Sequence, residues 1–337
     1  VFEGQVLRWS VDWIPAFGVT FGFRMDGLAW MFALLLLTGC ATNGPLPSPY
    51  PDGIAPRVEL EGTPFFADDS HYCGPAALAT SLSAAGISTQ PQSLIDQVFL
   101  PGRQGSLQIE MLSGARRRGA VATMIPGSPE ALLSEVAAGH PVVVLQNLGL
   151  SWAPSWHYAV VVGYDSGSDT ILLRSGPMKR QEMGLRTFMH TWDRSERWAF
   201  VTLPPNQLPT TATEAETVRA LVAFERNADA PAAVVAYRTG LSRWPANPTL
   251  AMGLGNALYA SGDKTGAEAV FRQLTEKHHL AAAYNNLARL LLERGQASEA
   301  RTLAEQGLSV TGPLREMLME TLQAAQAMTT ARGTGEP

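Results

Sequence analysis

Residues 72–79 read YCGPAALA, and residues 156–165 read WHYAVVVGYD. In the first stretch, Pro75 at a first-turn position and the Ala/Leu run after it predict a helix that begins at Cys73. In the second stretch, β-branched and aromatic residues predict a strand that starts with an imidazole at His157. Because a helix N-terminus favours an anion, we expect it to lower the pKa of the Cys73 thiol. The two stretches therefore predict a nucleophile and a base on separate elements.

Around these stretches, helices come first and strands later. Three helices are predicted, each closed by a glycine: from Cys73 to Ala85, from Ser106 to Arg118, and from Ser128 to the residue before Gly139. Strands are predicted at Val142–Leu145, Tyr158–Tyr164, Thr170–Leu173 and Trp198–Leu203. This order predicts an α+β domain between residues 63 and 205.

The C-terminal part of the chain repeats itself. A shift of 33 residues relates Leu254 to Leu287, Gly262 to Gly295 and Ala267 to Ala300. Such a period predicts stacked helical hairpins, with an unrelated helical bundle as the alternative. A capping box of Thr213 and Glu216 marks the start of the first helix. The pattern resembles about three tetratricopeptide repeats over residues 214–313, followed by a capping helix at 314–328, and such an array offers a concave protein-binding surface.

An apolar stretch of ten residues, Leu28–Leu37, lies near the N-terminus. It is too short to span a bilayer and fits the h-region of a signal peptide, although a buried core helix is the alternative. The tetrapeptide that ends at Cys40 resembles the lipobox of bacterial lipoproteins, which implies lipid attachment at Cys40. Ala41, which follows it, is compatible with delivery to the outer membrane. A Pro-rich run to Pro56 predicts an extended tether.

Composition excludes several classes of protein. The chain has 337 residues and a net charge of −5, and no basic run exceeds three residues, so we expect no nucleic-acid partner. Its two cysteines have different expected roles, which excludes a disulfide framework. Histidines outside the predicted site lack thiol or carboxylate companions, so we expect no metal and no cofactor.

The two opening stretches, together with GHPVVV at residues 139–144, resemble the bacteriocin-processing, double-glycine leader peptidase family of papain-like cysteine peptidases. The resemblance spans about residues 63–205. It implies N-terminal helices packed on an antiparallel sheet and hydrolysis of peptide bonds by a dyad of Cys73 and His157. The chain resembles still more closely lipoproteins that join such a domain to tetratricopeptide repeats.

Two positions depart from the family. The family places a Gln, which donates to the oxyanion, shortly before the nucleophile, whereas here Asp68 occupies that region. The family also orients its histidine with an Asp on the following strand. A hairpin centred on Gly167 pairs His157 with about Pro177, so Ser175 is the orienting candidate on the same face.

These observations predict an exported, lipid-anchored cysteine peptidase of the bacterial cell envelope that faces the periplasm. Its partners would be a protein or peptide substrate, a protein on the repeats, and the membrane. The alternatives are an inactive peptidase-like scaffold that acts through its repeats, and a thiol enzyme that transfers the acyl group to an acceptor other than water. The predicted segments are 1–40 (signal peptide and lipobox, with Met25 as an alternative start), 41–62 (tether), 63–205 (peptidase), 206–213 (linker), 214–330 (repeats) and 331–337 (tail).

Overall fold

The computed structural model describes residues 7–14, 19–25, 50–68, 71–310 and 312–333. The chain divides into two compact units, Val1–Pro49 and Tyr50–Pro337. In the first unit, β1 (Leu7–Ile14) and β2 (Val19–Met25) pair as an antiparallel hairpin. The apolar stretch of the predicted signal peptide and Cys40 lie outside the described residues. Among the described helices, none combines the length and hydropathy needed to cross a bilayer.

The second unit begins with a helical and β-rich part. Its strands are β3 (Arg57–Glu59), β4 (Phe99–Leu100), β5 (Gly105–Ser106), β6 (Val121–Met124), β7 (Val142–Asn147), β8 (Trp156–Asp165), β9 (Thr170–Ser175), β10 (Met178–Gly184) and β11 (Ala199–Leu203). Its helices are α1 (Cys73–Ala84), α2 (Gln92–Val98), α3 (Gln108–Arg117), α4 (Pro129–Ala137) and α5 (Leu185–Asp193). The predicted α+β class is confirmed.

Seven of the described strands form one antiparallel sheet. Its order is β10-β9-β8-β7-β11-β6, with β3 paired to the far end of β8. Both faces are covered, because α1, α2 and α3 pack on one face while α4 and α5 pack on the other. The long central strand β8 is therefore buried along most of its length, which explains its nearly continuous apolar run.

The predicted helices and strands of this part are present, whereas the helices α2 and α5 and the strands β3, β4, β5, β6 and β10 were not predicted. The strand β10 reads MKRQEMG and lies at the edge of the sheet with most side chains exposed. An exposed edge strand with charged residues lacks the apolar alternation on which strand prediction rests, and its charges discourage intermolecular pairing. The helix α5 (LRTFMHTWD) buries Phe188 and Trp192 but lacks a capping residue that would mark its start.

The C-terminal part consists of helical hairpins. Its helices are α6 (Glu214–Glu225), α7 (Ala230–Arg243), α8 (Pro248–Ala260), α9 (Lys264–His278), α10 (Ala281–Glu293), α11 (Ala297–Ser309) and α12 (Arg315–Gly333). The predicted capping box is confirmed, since Thr213 and Glu216 hydrogen-bond each other's backbone N–H. Gly262 and Gly295, which are one period apart, both adopt positive φ in the turn between paired helices.

The repeats share a hydrophobic core with one edge of the sheet. Val121 of the edge strand β6 belongs to the hydrophobic core of the repeats, where it joins Ala220, Leu221 and Phe224 of α6. The segment between the two parts is also fixed, because the fully buried carboxylate of Glu135 accepts hydrogen bonds from both the N–H and the hydroxyl of Thr211 at 2.6 Å. The edge of the sheet is thereby covered by a helix.

Candidate active site

Cys73 is the first residue of α1, as predicted, and is half-buried. The first helical hydrogen bond runs from the Ala76 N–H to the Tyr72 carbonyl at 3.0 Å. The N-cap residue Tyr72 makes no side-chain capping hydrogen bond. The N–H groups of Cys73 and Gly74 precede the first helical hydrogen bond and therefore have no intrahelical acceptor. They remain available to the sulfur or to a substrate oxygen.

The packing of β5 against the start of α1 requires a glycine at position 74. A Cβ at this position would lie 2.2 Å from Ser106 Oγ and 2.6 Å from Ser106 Cβ. The next strand segment therefore contacts the helix directly beside the nucleophile. Because Gly74 has no side chain, β5 can pack directly against the start of α1.

His157 lies near the start of β8, at the open end of its hairpin with β9 and far from the turn. The pairs Val160–Arg174 and Val161–Leu173 set a register that, continued, places Pro177 opposite His157. His157 Nε2 lies 2.9 Å from Ser175 Oγ. The structure thus brings together the two residues that the hairpin argument places side by side.

Cys73 and His157 line the same cleft, which has a volume of about 860 Å³. Its lining includes Cys73, β5 and the start of α3, with Leu107 and Gln108. It also includes His157, its neighbour Trp156 and the segment that follows α5. A thiol and an imidazole thus border one groove.

Burial raises the pKa of the Cys73 thiol, and the negative charge of Asp68 raises it further. Hydrogen bonds from the backbone N–H groups of Tyr158, Gly74 and Cys73 itself act in the opposite direction but do not compensate. The expectation that the helix N-terminus lowers this pKa is therefore wrong, because desolvation outweighs the N–H groups. The resting sulfur is a protonated thiol at neutral pH.

Burial lowers the pKa of His157, while the charge of Asp68 partly opposes that shift. The resting imidazole is consequently neutral and able to accept a proton. Since Nε2 faces Ser175, Nδ1 is the nitrogen left to act as the base. That role requires the tautomer with hydrogen on Nε2, which donates to Ser175 Oγ.

Asp68 is buried just before the helix of the nucleophile, and its N–H donates to the Gly176 carbonyl at 3.0 Å. It borders a water-sized cavity together with Cys73 and Ser175. Its charge acts on both Cys73 and His157. An ionised carboxylate accepts hydrogen bonds and does not donate them, so it suits an imidazolium better than an oxyanion.

Sequence reasoning missed Tyr158 as a component of this site. Its side chain is buried, and its hydroxyl donates to the Ser106 carbonyl at 3.1 Å, which ties β8 to β5 across the cleft floor. Its backbone N–H faces the Cys73 sulfur. No sequence signal separates this tyrosine from the other aromatic residues of a buried strand.

Comparison with known families finds matches in two parts of the chain. The model of the Peptidase_C39 like family matches residues 58–199. Those residues form a C39-like peptidase domain. A tetratricopeptide repeat model matches residues 280–311, which span α10 and α11. The C39-like domain implies a protein or peptide substrate, and the repeats imply protein–protein interaction.

Two individual proteins are similar to parts of the chain. A solved structure of a C39-like peptidase from Bacillus anthracis is 18% identical, with a TM-score of 0.37, and the match covers 44% of this chain and 97% of that one. A stretch of 36 residues is 47% identical to part of a probable K(+)/H(+) antiporter protein from Rhizobium meliloti (strain 1021). That stretch is 11% of this chain and only 4% of the antiporter protein.

Proposed function

We propose that this protein is a cysteine peptidase in which Cys73 attacks a peptide bond and His157 moves the proton. The observation that carries the proposal is the shared cleft, which is lined by the Cys73 thiol and by the imidazole of His157 that contacts Ser175. The C39-like domain supports the reaction class.

The first half of the reaction makes an acyl-enzyme. The Cys73 thiol proton passes to His157 Nδ1 while the sulfur attacks the carbonyl carbon of the substrate. The carbonyl oxygen becomes an oxyanion, for which the Cys73 N–H is a donor at the uncapped helix start. The C–N bond then breaks, and the imidazolium gives its proton to the leaving amine. In the second half, His157 takes a proton from water as the water oxygen attacks the thioester carbon, the C–S bond breaks to release the carboxylic acid, and the imidazolium returns its proton to the sulfur.

Asp68 fits this cycle as a charge that stabilises the imidazolium. The family's orienting Asp is absent, and Ser175 is a neutral group that fixes the ring tautomer without opposing its charge. Asp68 raises the pKa of His157, which is the direction expected for imidazolium stabilisation. The same charge disfavours a resting thiolate, so proton transfer is expected to accompany attack and not to precede it.

Alkylation of Cys73 as a function of pH tests this arrangement. In a Cys40→Ser background, iodoacetamide should label Cys73 with a midpoint above the ordinary value of about 8.5, since burial raises the pKa of the thiol. Asp68→Asn removes a charge that raises this pKa, so its midpoint should move to lower pH. The readout is the mass of the labelled peptide after timed quenching.

A substrate-like acyloxymethyl ketone peptide, tested in parallel, separates enzyme from scaffold. At pH 7 it should label the parent protein much faster than the His157→Ala variant, because the imidazole removes the proton of the Cys73 thiol when the sulfur attacks the bound probe. Labelling should decline on acidification with a midpoint below the ordinary histidine value of about 6.5, since burial lowers the pKa of His157. Equal labelling of the parent and of His157→Ala would support the inactive-scaffold alternative.

We further propose that Cys40 carries a lipid that anchors the protein to the outer membrane, with the peptidase and repeats in the periplasm. The proposal is supported by the apolar stretch and the Leu-Thr-Gly-Cys tetrapeptide at residues 37–40. When the gene is expressed in a Gram-negative host, Cys40→Ala should abolish incorporation of labelled palmitate and release the protein from the membrane fraction. Cys73→Ala is the matched control and should leave both unchanged. Unchanged partition of Cys40→Ala would overturn the anchor.

A further inference from the structure

The loop between β7 and β8 presents large apolar side chains to solvent beside the cleft. Trp152 is 82% exposed, and Trp156, where β8 begins, is 53% exposed. Leu148 and Leu150 are about half exposed as well. Single exposed apolar residues are ordinary, but four within nine residues mark a contact surface.

This loop has a fixed shape. The buried Asn147 side chain accepts hydrogen bonds from the N–H groups of Gly149 at 3.0 Å and Ser155 at 2.9 Å, which closes the loop at its base. Arg194 donates to the Gly149 carbonyl at 2.6 Å. A Cβ at Gly149 would lie 2.4 Å from the Ala153 carbonyl oxygen, so the tight closure requires glycine. The apolar side chains are therefore held in place before anything binds, which lowers the entropic cost of binding.

Only part of the loop faces the catalytic groove. Leu148 and Trp156 line the cleft together with His157, whereas Leu150 and Trp152 are not part of its lining. Trp156 is also the residue directly before His157 on β8, and its backbone pairs with Asn147. An exposed indole and the imidazole thus line the same groove from adjacent positions of one strand.

The direction of the substrate follows from the chemistry of the dyad. The imidazolium must deliver its proton to the leaving amine, so the substrate residue that contributes this amine lies on the His157 side of the cleft. We propose that Trp156 and Leu148 bind the side chain of the residue directly after the scissile bond, and that this residue is large and apolar. The inference rests on the proposed peptidase function and names its substrate class: polypeptides that offer Leu, Ile, Phe or Met at that position.

The test maps cleavage sites in a peptide library. The full chain in the Cys40→Ser background digests peptides derived from a denatured proteome, and mass spectrometry identifies the new N-terminal residues. We expect large apolar residues to be enriched at these N-termini. From the best-cleaved sequence, two peptides that differ only by Leu or Ser after the scissile bond give the ratio of kcat/KM, expected to be about 10- to 100-fold in favour of Leu.

Trp156→Ala should reduce that ratio to within about threefold, while Trp156→Phe should retain most of it, since a single apolar contact contributes discrimination of this order. Trp152→Ala is the matched control, because it removes an exposed indole of the same loop that does not line the cleft. Its ratio should equal that of the parent. Thermal unfolding of all three variants checks that the fold is intact.

The failures of the two proposals are distinguishable. Cleavage that does not depend on Cys73 would end the peptidase proposal itself. Cys73-dependent cleavage without preference after the scissile bond, or with a preference that Trp156→Ala leaves unchanged, would overturn the inference alone. Co-sedimentation with phosphatidylethanolamine–phosphatidylglycerol vesicles tests the loop as a membrane-docking surface instead. The inference would be overturned if Trp156→Ala kept the preference of the parent while Trp152→Ala and Trp156→Ala both abolished co-sedimentation.

Discussion

Cys73→Ala is expected to lower kcat/KM for peptide hydrolysis by about 10⁴-fold or more, because the acyl-enzyme forms on the sulfur that this change removes. The same loss is expected on any peptide that the parent protein cleaves, since the covalent step is common to all substrates. The measurement is product formation by mass spectrometry, with the Cys40→Ser protein as the reference. Hydrolysis that survives in Cys73→Ala at the parent rate would show that the cleft is not the catalytic site.

His157→Ala should cost about 10³-fold or more, and combining it with Cys73→Ala should add little, because the two residues act as a unit. Ser175→Ala is the graded control. It leaves the base in place and removes only the acceptor that fixes the ring tautomer, so its loss should be nearer tenfold. A Ser175→Asp variant adds a negative charge next to the imidazolium and should be more active than Ser175→Ala. It should also move the acid limb of the pH profile to higher pH, because a nearby carboxylate raises the pKa of histidine. A loss in Ser175→Ala as large as that in His157→Ala would contradict the tautomer argument.

Gly74→Ala is expected to lower both stability and activity. The added methyl would overlap Ser106, and such overpacking typically costs about 1–3 kcal/mol. Because the displaced atoms border Cys73, we expect kcat/KM to fall by about 10- to 100-fold, as small misplacements of a reacting group do. Denaturant unfolding and peptide hydrolysis measure the two effects.

The double variant Gly74→Ala/Ser106→Gly tests whether contact with Ser106 causes the loss. Ser106→Gly removes the atoms that the new methyl would meet, so adding it to Gly74→Ala should restore part of the lost activity. Additive losses in the double variant would mean that Ser106 is not the obstacle and that the glycine is required for another reason.

The sequence predicted the parts of this site that depend on local pattern. A proline in the first turn and a run of small apolar residues place Cys73 at a helix start. Strand periodicity and the position of the turn at Gly167 place Ser175 beside His157, because a hairpin register depends only on where the turn lies. These inferences need no knowledge of which other elements surround the dyad.

What the sequence did not predict depends on long-range packing. The direction of the Cys73 pKa follows from how deeply β5 and β8 bury the sulfur and from where Asp68 lies, and neither can be derived from residues near the thiol. The role of Gly74 likewise depends on Ser106, which lies 32 residues away in the sequence. The fixed loop at 148–155 rests on one buried amide, Asn147, whose hydrogen bonds to the loop backbone form only in the folded chain.

The burial of Val121 within the helical repeats bears on how this protein can be divided. A fragment that stops at residue 205 would expose the full length of β6 as an uncovered strand beside an apolar patch, which is a template for aggregation. A fragment that starts at residue 206 would lose an apolar contact of its first helix and the carboxylate that holds Thr211. The C39-like domain and the repeats thus share a hydrophobic core and a buried hydrogen-bonded carboxylate, so we expect a protein bound by the repeats to approach the cleft from a constant direction.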